Sequence, residues 1–455
     1  MLDYTKKEAY ERSALRVNPA KTCQPVGAMY AALGVHECMP HSHGSQGCCA
    51  FHRMFLTRHF KDPAMASSSS FTEGASVFGG GTNLKTAAKN IFDLYHPKII
   101  AVHTTCLSET IGDDLNALIQ GIDIPEGKYM VHTNTPSYKG SHITGFSNMV
   151  ASFISYLSVP GAKKKAKVTL LPGFVNPGDM REMKRIAEAM QVSYTMLPDT
   201  SGVMDSPMTG KFELYPKGGT TVEEIIDLGS SSLTLALGRA ASEAPAETLS
   251  KKCSVPCKLL PEPIGIGRTD EYILALQSFS KNEVPYELEE ERGQLVDILI
   301  DIHPYTYNKK VAVFGDPDTV LGLARFCLEL GMTPSYVLTG TPGEAFVKLA
   351  TALFKEYGKE EECKAFAAKD LVDLHQHIKN APVDLLLGNS HGKQIAKAEG
   401  IPLVRAGFPI LDRYGHPSLP LVGYRGAFLL ATRIADALMD EYDRVCADED
   451  MDLVM

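Results

Sequence analysis

At 455 residues the chain has room for roughly two to four domains with cores of their own, which excludes a lone peptide-binding module. Its 44% hydrophobic and 22% charged residues suit a soluble globular protein, and a formal charge of −9 without clustered Lys and Arg argues against nucleic acid as a partner. The charged start, MLDYTKKEAYERSALRVNP, has no apolar core of a secretion signal, and no run approaches about 18 apolar residues, so a cytoplasmic protein without a membrane segment is expected.

From the N-terminus, Cys23 in NPAKTCQPVGA and Cys48 in HGSQGCCAFHR each sit beside Gly, Pro or Thr in an expected turn. His36, Cys38, His41 and His43 crowd between them; zinc comes to mind, but no complementary pair lies nearby. The serines at 67–70 read as a loop, and the glycines at 79–81 as a tight turn into a helix beginning near Asn83. Residues 97–106 (PKIIAVHTTC) have the apolar run of a buried parallel strand and lead through Cys106 into the helix-like TIGDDLNALI. Residues 128–132 are a further strand candidate, and Ser137 follows in HTNTPS.

Residues 167–173 (KVTLLPG) repeat the strand pattern and run through NPGD into MREMKRIAEAM. Cys253 and Cys257, separated by Ser-Val-Pro, read as structural. GIGRTD at Gly265 lacks the third glycine of a dinucleotide fingerprint and follows LLPEP rather than an expected strand. Asp297 and Asp301 in QLVDILID are four apart, on one face of a helix. Residues 310–315 (KVAVFG) then lead into TVLGLARFCLELG, a helix with acidic residues at its start, Cys327 in its core face and Gly331 past its end. Residues 335–339, 383–388 and 403–406 are the remaining strand candidates. GNSHGKQ at 388–394 is one residue short of a phosphate loop, with Gln394 where Ser or Thr should bind magnesium, so this chain is not expected to bind ATP.

Strands alternating with helices imply an α/β fold of three Rossmann-like domains with parallel sheets flanked by helices. The Lys-rich GAKKKAK and the polar HPYTYNKK read as the joints, giving domains at 1–165, 166–305 and 306–455.

Ligands of open parallel sheets gather at the carboxyl ends of strands, so cysteines in those turns carry the most interest. Ten cysteines in a reducing compartment are either buried small groups or thiolates for metals. The separations Cys23 to Cys48 and Cys48 to Cys106 match no local zinc or ferredoxin spacing. An iron-sulfur cubane usually takes about four thiolates, so three from one chain leave either a fourth ligand of another kind or a cluster shared with a partner.

The segments PAKTCQPVGA, HGSQGC, TEGASVFGGGTN, TTCLSETIGDD, HTNTPSYKGSHITGF, GDPDTVLGL and GFPILDRYGH occur in this order. Over essentially its whole length the chain resembles the beta subunits of the nitrogenase molybdenum-iron protein. The resemblance implies an oxidoreductase subunit that holds half of an 8Fe-7S P-cluster at a domain and subunit interface, through Cys23, Cys48 and Cys106, with Ser137 as a redox-dependent fourth ligand. Cys49 receives no role, and Phe51 stands where many members carry a tyrosine. Phe78 corresponds to a residue on the docking surface of the ATP-hydrolysing iron protein, with Glu73 nearby and Ser45 at the cluster pocket.

The resemblance further implies a heterotetramer of two alpha and two beta chains, with the iron-molybdenum cofactor in the alpha partner. A hard cation, calcium or iron, is expected between beta chains, held by Asp297 and Asp301 together with Asp62 and the Lys61 carbonyl of the other copy. Rival readings are a cofactor-assembly scaffold of the same superfamily, the beta chain of a vanadium or iron-only nitrogenase, and a small-molecule-binding α/β protein with no cluster.

Overall fold

The computed structural model describes residues 5–8, 17–211, 213–447 and 451, so the charged start read above against a secretion signal lies largely outside it. Packing divides the chain into two compact units, one of residues 22–262 and 278–282, the other of residues 1–21, 263–277 and 283–455.

The first unit opens with α1 (Gln24–Leu33), β1 (Cys38–His43), α2 (Gln46–Phe60), β2 (Ser67–Ser68), α3 (Glu73–Phe78), α4 (Gly81–Tyr95), β3 (Ile99–Thr104), α5 (Cys106–Ile111), α6 (Leu115–Gln120), β4 (Tyr129–Thr133) and α7 (His142–Leu157). Its first sheet has the order β2-β1-β3-β4, every pairing parallel. Leu84, Ala88, Ile91 and Phe92 of α4 close one face over Met39, Ile100 and Val102, while α1 packs on β1 and β3. With both faces covered, β1 and β3 are buried from end to end.

The same unit continues with β5 (Pro160–Leu171), α8 (Pro177–Ala189), β6 (Tyr194–Met196), α9 (Val222–Ile226), β7 (Gly229–Leu237), α10 (Arg239–Cys253) and β8 (Cys257–Leu260). These strands form a second parallel sheet, ordered β6-β5-β7-β8. After α11 (Gly265–Ser280) and α12 (Tyr286–Thr306) come β9 (Lys310–Gly315), α13 (Pro317–Glu329), β10 (Thr333–Thr339), α14 (Glu344–Glu356), β11 (Lys364–Phe366), α15 (Leu371–Asn380), β12 (Leu385–Gly388), α16 (Lys393–Glu399), β13 (Leu403–Arg405) and α17 (Gly423–Val445). The third sheet, β11-β10-β9-β12-β13, is also parallel and centres on Phe314, Leu338, Leu374 and Leu386. The architecture is the expected α/β with three parallel sheets.

Several local readings are corrected. GAKKKAK is no joint but the exposed first half of β5, where Lys165 pairs with Ser231 of β7 and the amines of Lys165 and Lys167 each reach Asp227 at 2.9 Å. HPYTYNKK is the end of α12 and the turn into β9. A boundary at residue 165 therefore falls inside a strand, and the first two sheets share one compact unit. TIGDDLNALI is not one helix, because Gly112 takes a left-handed φ of 80° and caps α5 before α6 begins. The helix after the triple glycine starts at Gly81.

GIGRTD does follow a strand, β8. A phosphate is excluded there for a different reason, since the Ile266 and Gly267 amides already donate to Glu329, at 2.9 and 3.1 Å. GNSHGKQ likewise bridges β12 and α16, but its Ser390 hydroxyl is bound to Asp412 at 2.5 Å and Gly388 and Gly392 press on the Phe314 ring. The loop is filled by its own chain.

Candidate metal centre

Parallel pairing puts the carboxyl ends of β1, β3 and β4 side by side, with His43 opposite Thr104 and His103 opposite Thr133. The turns that follow these three strands carry Cys48, Cys106 and Ser137 respectively. Cys48 lies in the first turn of α2, capped by the Ser45 hydroxyl, which accepts from the Gly47 amide at 3.3 Å. Cys106 is the first residue of α5, fixed by the Thr105 amide donating to Ser108 Oγ at 2.9 Å and to the His43 carbonyl at 3.1 Å. Cys23 is the N-cap of α1, with Pro25 just inside the helix. All three cysteines thus stand at helix N-termini, where backbone amides and the helix dipole favour a thiolate.

What brings Cys23 to this edge is the crossing of α1 on α7. A Cβ on Gly27 would lie 1.7 Å from the His142 carbonyl oxygen, and one on Gly145 would lie 1.9 Å from that of Gln24, so the two backbones touch at paired glycines. The His142 amide donates to the Thr22 carbonyl at 3.0 Å, and the Thr22 amide to His142 Nδ1 at 3.3 Å. The buried Gln24 amide donates to the carbonyls of Pro136 and Lys139, at 3.2 and 3.1 Å, on either side of Ser137. From the other side, Thr135 binds Thr104 through its amide and its hydroxyl, both at 2.6 Å. The Ser137 loop is therefore tied to the residue after Cys23 and to the strand leading into Cys106. Gln24 and Thr135 escape a sequence reading, since no spacing marks either.

The thiols perturb one another. Burial, and then the proximity of Cys106, with which it is hydrogen-bonded, push the Cys48 thiol up to about 11; Cys23 also contributes. Burial raises Cys23 as well, against the pull of hydrogen bonds at Thr22 and Val26, and Cys106 adds to the rise. A set of thiols that oppose each other's ionisation becomes a stable thiolate set only beside positive charge, which is what iron supplies. Among the described residues no group of three or more His, Cys, Asp or Glu is arranged to hold a single metal ion. A multi-iron cluster spreads its thiolates over several atoms, so donors that influence one another without meeting at a point suit a cluster better than zinc.

Other singled-out residues are placed as follows. Cys49 is buried and its thiol donates to the Ser67 carbonyl at 3.4 Å, away from metal duty. Phe51 is exposed on α2 and lies 5.8 Å from the Phe55 ring. His41 and His43 share one face of β1, and both bond Ser69 Oγ, at 2.8 and 2.9 Å; His41 also meets Ser67 at 2.9 Å. The supposed serine loop is thus the partner of the supposed zinc histidines. Phe78 ends α3 and is 90% exposed. Asp297 and Asp301 are exposed one turn apart on α12, and Asp62, half-buried, follows Lys61, the left-handed cap of α2. No helix of the described residues is long and apolar enough to cross a membrane.

Over residues 23–439 the chain matches the family described as nitrogenase component 1 type oxidoreductase. It is 58% identical to the nitrogenase molybdenum-iron protein beta chain of Clostridium pasteurianum, with 100% of both chains covered. The chain belongs to the nitrogenase component 1 family. Beta chains from Rippkaea orientalis and Methanothermobacter thermautotrophicus are 41% and 40% identical, spanning 97% and 94% of this chain and 87% and 95% of their own length. A solved chain of nitrogenase Cp1 at pH 6.5 superposes with a TM-score of 0.98 at 58% identity over 100% of both chains. A second, nitrogenase Cp1 at pH 5, has a TM-score of 0.67 at 16% identity over 97% of this chain and 92% of that one, and shares the fold alone. Within nitrogenase component 1 the chain is an oxidoreductase subunit of the molybdenum-iron beta type, belonging to an iron-sulfur assembly with an alpha partner.

Proposed function

We propose that the chain is an electron relay, whose Cys23, Cys48 and Cys106 hold one side of an 8Fe-7S P-cluster while the alpha subunit closes the other. The observation that carries this reading is the meeting of three cysteines and the Ser137 loop at the carboxyl edge of β1, β3 and β4. When bound, the cluster supplies the one-electron chemistry. The protein fixes the three cysteines at helix N-termini and ties down the loop that carries Ser137 through Gln24 and Thr135.

Ser137 would be the redox-dependent fourth ligand. An alkoxide is a harder donor than a thiolate and prefers more oxidised iron, and the hydroxyl would give up its proton on binding, so that electron loss and proton loss would be coupled. Phe78 lies on the surface where an ATP-hydrolysing iron protein docks transiently, an exposed aromatic of the kind that anchors interfaces. The alpha chain would hold the iron-molybdenum cofactor, where electrons relayed through the cluster would serve the reduction of dinitrogen to ammonia. The assembly is a cytoplasmic heterotetramer of two alpha and two beta chains, with calcium or iron between beta chains on Asp297, Asp301, and Asp62 with the Lys61 carbonyl from the other copy. Relatives described as molybdenum-iron beta chains favour this reading over an assembly scaffold or a vanadium or iron-only beta chain.

Anaerobic co-purification of Cys106→Ala with the alpha chain, followed by iron analysis and low-temperature EPR, tests it. Loss of the cluster iron and of reduction activity is expected; full iron content would overturn the ligand set.

A further inference from the structure

Beside the Phe78 loop lies a half-buried acid that the electron-relay reading does not use. Asp113 follows Gly112, the cap of α5, and its side chain is 9% exposed. Its carboxylate accepts the Gly80 amide with both oxygens, at 3.3 and 3.0 Å, and meets His43 Nε2 at 3.0 Å. The other nitrogen of His43 is bonded to Ser69 Oγ at 2.9 Å, and its ring is edge-on to Phe71 at 4.9 Å. Phe71 in turn fills the space in front of Gly80, where a Cβ would fall 2.0 Å from the ring. The Asp113 amide donates to the Ser108 carbonyl at 3.1 Å, so the residue is also built into the last turn of α5, on which α3 packs.

We infer that Asp113 is a positioning residue, one that keys the exposed Phe78 loop to the helix beginning at Cys106. Gly80 stands two residues after Phe78, and Asp113 stands two residues past the end of α5, which begins at Cys106. The carboxylate thus closes a short rigid path from the docking aromatic to a cluster sulfur. Without it, Gly79 (φ 93°) and Gly80 leave the end of α3 with few constraints, and a docking partner must then order the loop at the expense of affinity. The inference rests on the docking role proposed for Phe78.

The test is steady-state kinetics of the intact heterotetramer, titrated with iron protein. Asp113→Ala is expected to raise the iron-protein concentration for half-maximal rate about tenfold, the effect of losing a hydrogen bond to a charged group. The rate at saturating iron protein, the iron content and the cluster EPR signal are expected to stay within about twofold. Asp113→Asn, which keeps an acceptor for Gly80, is expected to recover most of the affinity. Gly80→Ala is expected to reproduce the defect, because its Cβ displaces the loop from Phe71.

Unchanged half-saturation in Asp113→Ala, or lost cluster iron in that variant, overturns the inference. Should Asp113→Ala fail to fold, unchanged half-saturation in Gly80→Ala overturns it. Phe78→Ala separates the two claims: a normal half-saturation there ends the docking reading, whereas a raised one beside a normal Asp113→Ala ends only this inference.

Discussion

At the scale of single residues, the cysteines are candidates for a metal site by type, and their neighbours set them apart from one another. Cys48 and Cys49 are adjacent, yet one joins Cys106 and Cys23 and the other is turned to the Ser67 carbonyl. Burial and the nearby thiols resist ionisation of Cys48, so the folded group stays protonated above the pH at which an ordinary thiol, near 8.5, becomes reactive. In chelator-stripped protein the alkylation rate of Cys48, followed by mass spectrometry, should therefore reach half its maximum near pH 11. A midpoint at or below the ordinary value would contradict the mutual opposition of the thiols.

Ser137 has a separate signature. If its hydroxyl loses a proton as the cluster is oxidised, the potential of that couple falls by about 59 mV per pH unit, and Ser137→Ala should flatten the slope while retaining cluster iron. A slope preserved in the variant would remove Ser137 from the reaction. The roles proposed for the cysteines and Ser137 come from the family resemblance. Gln24 and Thr135, which tie the Ser137 loop down, were not legible in the sequence, because a hydrogen bond spanning 112 residues leaves no local pattern.

At the scale of elements, apolar runs made β3, β9 and the buried half of β5 readable, since a strand covered on both faces must be continuously hydrophobic. β1 (CMPHSH) lies at the centre of the site and defeats that rule: its histidines and Ser42 are buried because other side chains satisfy them, Ser42 meeting His103 at 2.8 Å. Composition alone makes it look like a loop or a zinc site. The α1 and α7 crossing was equally hidden, as two glycines 118 positions apart carry no periodic signal. Gly27→Ala should destabilise the fold by about 1–3 kcal/mol or more, because the added methyl meets backbone rather than a movable side chain. A fall in the denaturation midpoint together with lost cluster iron is expected; an unaltered midpoint would show that the helices can slide apart at no cost.

At the scale of the whole molecule, three parallel sheets follow from three strand-rich stretches, while the division into compact units depends on packing that composition does not encode. The proposed ligand set is one-sided, three thiols and a hydroxyl from one sheet edge, and a cluster so held would need a second polypeptide to complete it. Asp297 and Asp301 bear on the same level of organisation. Replacing both with Asn should lower the calcium or iron retained per tetramer after dialysis without reducing P-cluster iron, and an unchanged metal inventory would remove the pair from the proposed cation site.

Diffraction from anaerobic crystals of the heterotetramer at the iron edge bears most directly on the central claim. The expected anomalous peak lies between alpha and beta chains, in contact with the sulfurs of Cys23, Cys48 and Cys106. A map with no iron at those sulfurs, or with the peak enclosed by the alpha chain alone, would contradict it.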